Sequence, residues 1–284
     1  MGVAKAAKLI GEFRTVELIP DLVAAFQRLM TSPVKLDKGC AAVTEIVRAL
    51  YAMDYESPDV YLKGVRHIQL EPAFQGPVDT AAQLRGESAL GLVRTRHPDA
   101  LFEVSRLLVD KEPRVRMDAA RALGSVVGDA AELLLRLKVL TGDREPDVLE
   151  ECFSGILESD TERSLTFVGG YVDDGNQAIA EAAVIALGAS RRPRAIDVLK
   201  EKWGRTVRGS LRKTLLLAFA TARQEPAIDF LLSLLAGEHP QIGVDVITAL
   251  RIYRDDERVR NAIEDVVLRR GDQRLIDAFR ADWT

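Results

Sequence analysis

The chain of 284 residues is 47% hydrophobic, 6% aromatic and 29% charged, with a net charge of -4. That apolar share sustains a continuous core and excludes a disordered chain, and the lack of excess positive charge excludes a nucleic-acid backbone as the default partner. Ala and Leu dominate, which favours helix over sheet because neither loses much rotamer freedom in a helix.

The opening MGVAKAAKLIGEFR has no apolar run of the length a signal peptide needs, and no stretch reaches 18 uninterrupted apolar residues. A soluble, cytoplasmic protein with no membrane segment is expected. Val16, Leu18, Ile19, Leu22, Val23, Phe26 and Leu29 form an apolar stripe, so residues 1–36 are predicted to be cap helices. Repeats are predicted over 37–255, starting with an inner helix from Asp37 to Met53. Cys40 and Cys152 fall inside apolar helical patterns and read as buried thiols rather than a disulfide or metal pair.

The stretch SPDVYLKGVRHIQLEPAFQGPVDT, residues 57–80, departs from this regularity. Val60 to Leu70 is predicted as an outer helix. Pro72, Gly76 and Pro77 forbid helix beyond it and force an ordered loop or short hairpin. Loops on a rigid scaffold are common carriers of binding groups, and this one combines His67, Gln69, Glu71, Phe74, Gln75 and Asp79. A packed surface loop is the alternative. His67 and Glu71, four residues apart, would share a helix face, but two possible ligands do not make a metal site. No metal or cofactor is expected.

Downstream, DKEPRVRMDAARALG, residues 110–124, reads as an inner helix behind a turn closed by Pro113, with Val115, Ala119, Ala122 and Leu123 at helical spacing. A small-apolar pair near its end recurs at Ala49-Leu50, Ala89-Leu90, Ala122-Leu123, Gly155-Ile156, Ala186-Leu187, Ala218-Phe219 and Ala249-Leu250. The intervals are 40, 33, 33, 31, 32 and 31 residues. Outer segments precede the inner helices at 98–109, 130–140, 161–172, 194–203 and 227–235. Short turns rich in Asp, Pro and Gly join the two, which suits helical hairpins that stack because none can bury its apolar face alone. Residues 256–284, with Val259, Ile263 and Val267 spaced by four, are predicted to close the stack as cap helices.

The pattern D-x-x-P-x-V-R-x-x-A-x-x-A-L-G resembles the inner half of a HEAT repeat, particularly the short HEAT-like type of phycobilisome lyases, over roughly residues 80–255. The resemblance implies an all-α, right-handed α-solenoid (α-α superhelix) of about seven antiparallel helix pairs in one domain over 1–284. HEAT families commonly pair a turn Asp with an inner-helix Arg six residues later, as in Asp110 and Arg116. Asp143 faces Leu149, Asp174 faces Ala180 and Thr206 faces Arg212, so only half of each later pair is kept.

Two surfaces follow. The stripe beside the core line holds Arg114, Met117 and Arg121; Asp147, Glu150 and Ser154; Ala178, Glu181 and Ile185; Ser210, Lys213 and Leu217; and Gln241, Val244 and Thr248. Arg114, Met117, Arg121, Glu150, Glu181 and Lys213 are its candidate binding residues, and the mixture suits a protein or peptide partner. Charge is also polar along the chain. Residues 143–181 carry eleven acids against two arginines, and 190–214 carry nine bases against two acids, which could orient self-association or be solvated outer faces.

No nucleophile-base-orienter set, P-loop, dinucleotide fingerprint, H-E-x-x-H or C-x-x-C is present. His97 and His239 precede prolines in turns, against the His-Glu metal centre of deoxyhypusine hydroxylases. The expected function is a non-catalytic interaction scaffold that presents a concave surface to a protein or peptide. The resemblance also allows a phycobilisome-lyase-like subunit holding a tetrapyrrole or its acceptor protein. A HEAT-like DNA-binding protein or glycosylase is the second alternative, which the basic stretch 190–214 allows; a glycosylase would need tryptophan and a carboxylate in a basic groove, whereas Trp203 is predicted on an outer helix and Trp283 lies at the C-terminus.

Overall fold

A computed structural model describes residues 2–74, 76–206 and 209–283, and among them the chain is almost wholly helical. Gln75, named above, and Arg208, one of the nine bases of 190–214, lie outside the described residues. The chain divides into two compact units, Met1–Gly155 and Ile156–Thr284. No described helix is long and apolar enough to cross a membrane.

In the first unit, α1 (Gly2–Glu12), α2 (Ile19–Leu29) and α3 (Pro33–Leu36) precede the first inner helix, α4 (Ala41–Ala52). Helices then alternate between outer and inner positions as α5 (Pro58–Val65), α6 (Ala82–Arg94), α7 (Ala100–Leu107), α8 (Pro113–Gly124) and α9 (Asp129–Thr141). Helix α1 packs on α4, the inner helices follow in sequence order, α4 on α6 and α6 on α8, and α5 meets α7 in the outer layer. The helix α10 (Pro146–Leu157) follows.

In the second unit, α12 (Gln177–Ala189), α14 (Ser210–Ala222), α16 (Pro240–Leu250) and α18 (Gln273–Trp283) form the inner row, each packed on the next. The outer row is α11 (Glu162–Gly169), α13 (Pro193–Arg205), α15 (Glu225–Gly237) and α17 (Glu257–Arg270), also in sequence order. All five outer segments predicted from periodicity are helical, within a few residues of the observed bounds. Each unit is thus a stack of sequentially packed helices of the all-α repeat kind that the periodicity predicts.

The core line is where the spacing put it. Val115, Ala119, Ala122 and Leu123 are fully buried, and Trp203 is buried on α13 against Phe230, with the Arg212 guanidinium 3.9 Å above its ring. Inner helices approach closely where one side chain vanishes. A Cβ on Gly188 would lie 2.5 Å from the Ala218 carbonyl oxygen, and one on Gly124 would lie 2.8 Å from the Gly155 Cα.

The turns after the inner helices from α6 to α14 repeat a backbone state rather than a residue type. Arg96, Gly128, Asp160, Arg191 and Arg223, spaced by 31 or 32, all have positive φ, as do Arg14 and Asp54 upstream. Only one is glycine, so residue identity conceals the repeat that the backbone shows.

Two expectations are corrected. The predicted outer helix over Val60 to Leu70 stops at Val65, because residues beyond it bond to a hairpin: the Gln69 N–H donates to Asp79, and the His67 carbonyl accepts from Arg85. His67 and Glu71 therefore share no helix face. The Asp110 and Arg116 side chains also do not pair with each other. Arg116 takes the Asp143 carboxylate of the next turn at 2.7 Å and meets Asp110 only through its backbone carbonyl, while the Asp110 carboxylate receives Arg85.

Candidate functional site

Residues 66–81 connect α5 to α6 through a two-stranded antiparallel hairpin, β1 (Leu70–Glu71) with β2 (Val78–Asp79), in which Leu70 lies opposite Asp79. Pro72 and Pro77 flank the turn, where neither can extend a hydrogen-bonded ladder. The hairpin is anchored by polar side chains that point inward. Gln69, Glu71 and Asp79 are all buried.

Each of these buried groups is bonded. Glu71 Oε1 accepts from the Gly39 N–H at 2.6 Å, the Gln69 amide at 2.7 Å and the Thr80 hydroxyl at 2.9 Å. Those donors, Gln69 and Gly39 foremost, hold the Glu71 carboxyl below the usual glutamate value. The Gln69 amide also donates to the Asp37 carbonyl at 3.0 Å. Burial pushes the Asp79 carboxyl up, but backbone N–H groups of Gln69 and Ala81, each 3.1 Å from Oδ1, and the Arg85 guanidinium 2.8 Å from Oδ2 outweigh it and leave the group below its ordinary value.

Arg85, only 3% exposed, ties this loop to the repeats. It bridges Asp79, the His67 carbonyl and both oxygens of Asp110, the last at 2.9 and 3.2 Å. Asp79 and Arg85 have the same six-residue spacing as Asp110 and Arg116, a signal legible in the sequence. At the preceding turn, Asp37 caps the Ala42 and Val43 N–H groups, and position 43 supplies no guanidinium. Gln69 and Glu71 fill that gap by bonding to Asp37 and Gly39, so the insertion splices an incomplete rung.

The apolar side chains of the hairpin, by contrast, are exposed. Ile68, Leu70 and Val78 are at least half exposed, and Phe74 is fully exposed at 103%. This inverts the usual strand pattern, in which apolar side chains enter the core. His67, half-buried, bonds through Nε2 to the Gln69 side chain at 3.2 Å. It also lines a groove of about 580 Å³ with Gln27 of α2, Met30 just beyond it, and Asp59, Leu62, Lys63 and Arg66. Beside the hairpin, α3 exposes Val34 and Leu36 on either side of Lys35.

The stripe candidates fall in two places, each on its own unit. On the first, Arg114 bonds Asp118 at 3.0 Å, Arg121 reaches Asp118 at 3.5 Å and also bonds Glu151, and Met117 is half-buried between. Burial raises the Asp118 carboxyl despite both arginines. Gly86 provides its space, since a Cβ there would lie 2.3 Å from Asp118 Oδ2. Glu150 is half-buried and is raised by desolvation, with Asp147 and Glu151 adding to it. On the second unit, Glu181 accepts from Gln177 at 2.9 Å and from Ser210, and Lys213 stands 3.9 Å from Asp245.

The charge segments meet within the second unit. Arg192 pairs with Asp160, Arg194 with Glu162, and Lys202 and Arg205 with Asp173. Bases of one repeat thus answer acids of the repeat before it, and these charges are partly spent inside the stack. Among the described residues no group of three or more His, Cys, Asp or Glu could hold a metal ion. Burial drives the Cys40 thiol up to about 12, with Asp37 adding to the shift, and Cys152 likewise to about 12 by burial.

In comparisons with known proteins, no protein-family model and no curated relative matches the chain.

Proposed function

We propose that the protein is a non-catalytic scaffold of HEAT-like repeats that holds a protein or peptide partner on the hairpin face of its first unit. The observation that carries this reading is the inverted hairpin: buried, hydrogen-bonded polar side chains fix it to the stack while Ile68, Leu70, Phe74 and Val78 stand in solvent. Large apolar side chains exposed together on one short ordered loop are a mark of an interaction site. Because the frame is ordered before binding, little conformational entropy is lost on docking, and an exposed aromatic such as Phe74 suits the role of anchor.

Capture from lysate with immobilised wild-type and Phe74→Asp chains tests this. A partner retained by the first and lost by the second, with equal melting temperatures, supports the reading. Equal capture by both sinks it. Glu71→Ala is the structural counterpart, because it unties Gly39, Gln69 and Thr80 and should lower the melting temperature.

A further inference from the structure

Helix α1 of the first unit leaves in solvent a face of the kind that packs. It meets α4 through small residues: Ala7 is buried, and a Cβ on Gly11 would lie 2.9 Å from the Ala49 Cα. Helical spacing puts Gly2, Ala6, Leu9 and Phe13 on the opposite face, and all four are exposed, Leu9 at 42% and Phe13 at 79%. Phe13 belongs to that face because its N–H still bonds to the Leu9 carbonyl, one turn back. Helical stacks ordinarily end on a polar outer face. Helix α18 of the second unit does so: it buries Leu275, Phe279 and Trp283 and turns Gln273, Arg274, Asp277 and Arg280 to solvent.

We infer that two copies of the chain associate through α1, antiparallel about a two-fold axis. The face is its own complement. Positions 2, 6, 9 and 13 are spaced by four, three and four, steps that read the same in both directions. Reversing one helix therefore sets Phe13 against the second copy's Gly2 and Leu9 against its Ala6, so that each large side chain meets a small one. Lys5 and Glu12, seven residues apart and both exposed, flank the stripe on the same side. In that register Lys5 lies about 3 Å along the helix axis from the second copy's Glu12, and the two-fold repeats the pair. Glu12 also stands 3.8 Å from Lys8, in an exposed pair that leaves it open to a second cation. The polar outward face of α18 offers α1 no apolar surface, which favours a closed pair of α1 faces over a head-to-tail chain of copies. One helix pair buries less than the roughly 800 Å² per partner of a standard interface, so the association depends on concentration. It does not depend on the hairpin reading.

Sedimentation velocity of the full chain over a concentration series tests this. Wild type should shift from monomer to dimer as concentration rises. Leu9→Asp and Phe13→Asp should stay monomeric with unchanged melting curves, since both side chains are exposed. Charge reversal reads the orientation. Lys5→Glu and Glu12→Lys should each dimerise roughly tenfold more weakly than wild type, because each sets like charges together twice. An equimolar mixture of the two variants should recover a dimer, in which both pairs are again opposite in sign. A wild-type chain that stays monomeric into the millimolar range, or a dimer that survives Leu9→Asp, overturns the inference. So does a mixture that dimerises no better than its components, since the antiparallel register requires that recovery.

Discussion

The two units tie consecutive repeats with the same charge chemistry in opposite surroundings. In the first, Arg85 joins Asp79 and Asp110 with all three side chains nearly removed from water, and Arg116 is 12% exposed against an Asp143 that is 3% exposed. In the second, Arg194 and Glu162 are 73% and 64% exposed, and Arg258 and Glu225 pair in similar solvent. An exposed pair gains little over hydration and is screened by salt, whereas breaking a buried one leaves a charge stranded. The first unit therefore depends on its rungs. The second depends on backbone proximity and core packing.

The sharpest way to break this contrast is Arg85→Met, which leaves Asp79 and Asp110 without their guanidinium. A loss of about 3–5 kcal/mol in urea unfolding is expected, together with disorder of the hairpin. An undiminished midpoint would remove the rung from any structural role.

Acid probes the same rungs. Asp79 and Asp143 have folded-state values below their ordinary 3.8, the first against burial through Gln69, Ala81 and Arg85, the second against burial through Arg116 and Lys138. A lowered folded value means that their stabilisation is complete above the unfolded value and is lost as pH falls through and below about 4. Unfolding midpoints at pH 7, 5 and 3 should stay level and then drop, and Arg85→Met should show a shallower drop.

In the second unit, Gly188→Ala puts a methyl against the backbone of Ala218, which cannot swing aside. It should cost about 1–3 kcal/mol; a neutral result would mean that the inner helices can part without penalty. Smaller and of opposite sign, Arg223→Gly relieves a left-handed residue at φ 51° and should change stability by only a few tenths of a kcal/mol up to about 1 in the favourable direction. Least of all, Arg194→Ala should leave the melting curve unchanged at physiological salt, and a clear shift would show that exposed rungs carry weight after all.

Much of this architecture was legible because periodicity is a local property. The interval near 32 residues located the outer helices to within a few residues, and the spacing of Val115, Ala119 and Ala122 identified a line that is fully buried. Pro72, Gly76 and Pro77 marked the place where the helix pattern breaks, and a hairpin stands there. The direction of its side chains was not legible. Alternation in HIQLEP fits either face, and only partners distant in sequence, the Asp37 carbonyl that accepts from Gln69 and the Gly39 N–H that donates to Glu71, decide that these two turn inward.

The sequence by itself determined the all-helical repeat, its period and its core line, because these follow from side-chain spacing within single helices and the residues that stop them. Which Asp meets which Arg was left to tertiary structure, since spacing along one repeat says nothing of the turn of the next, and stacking brings Asp143 to Arg116. The inverted hairpin was decided there as well. Burial of Glu71 and Asp79 is tolerable only when donors from separate segments surround them, and those donors exist only once the stack has formed.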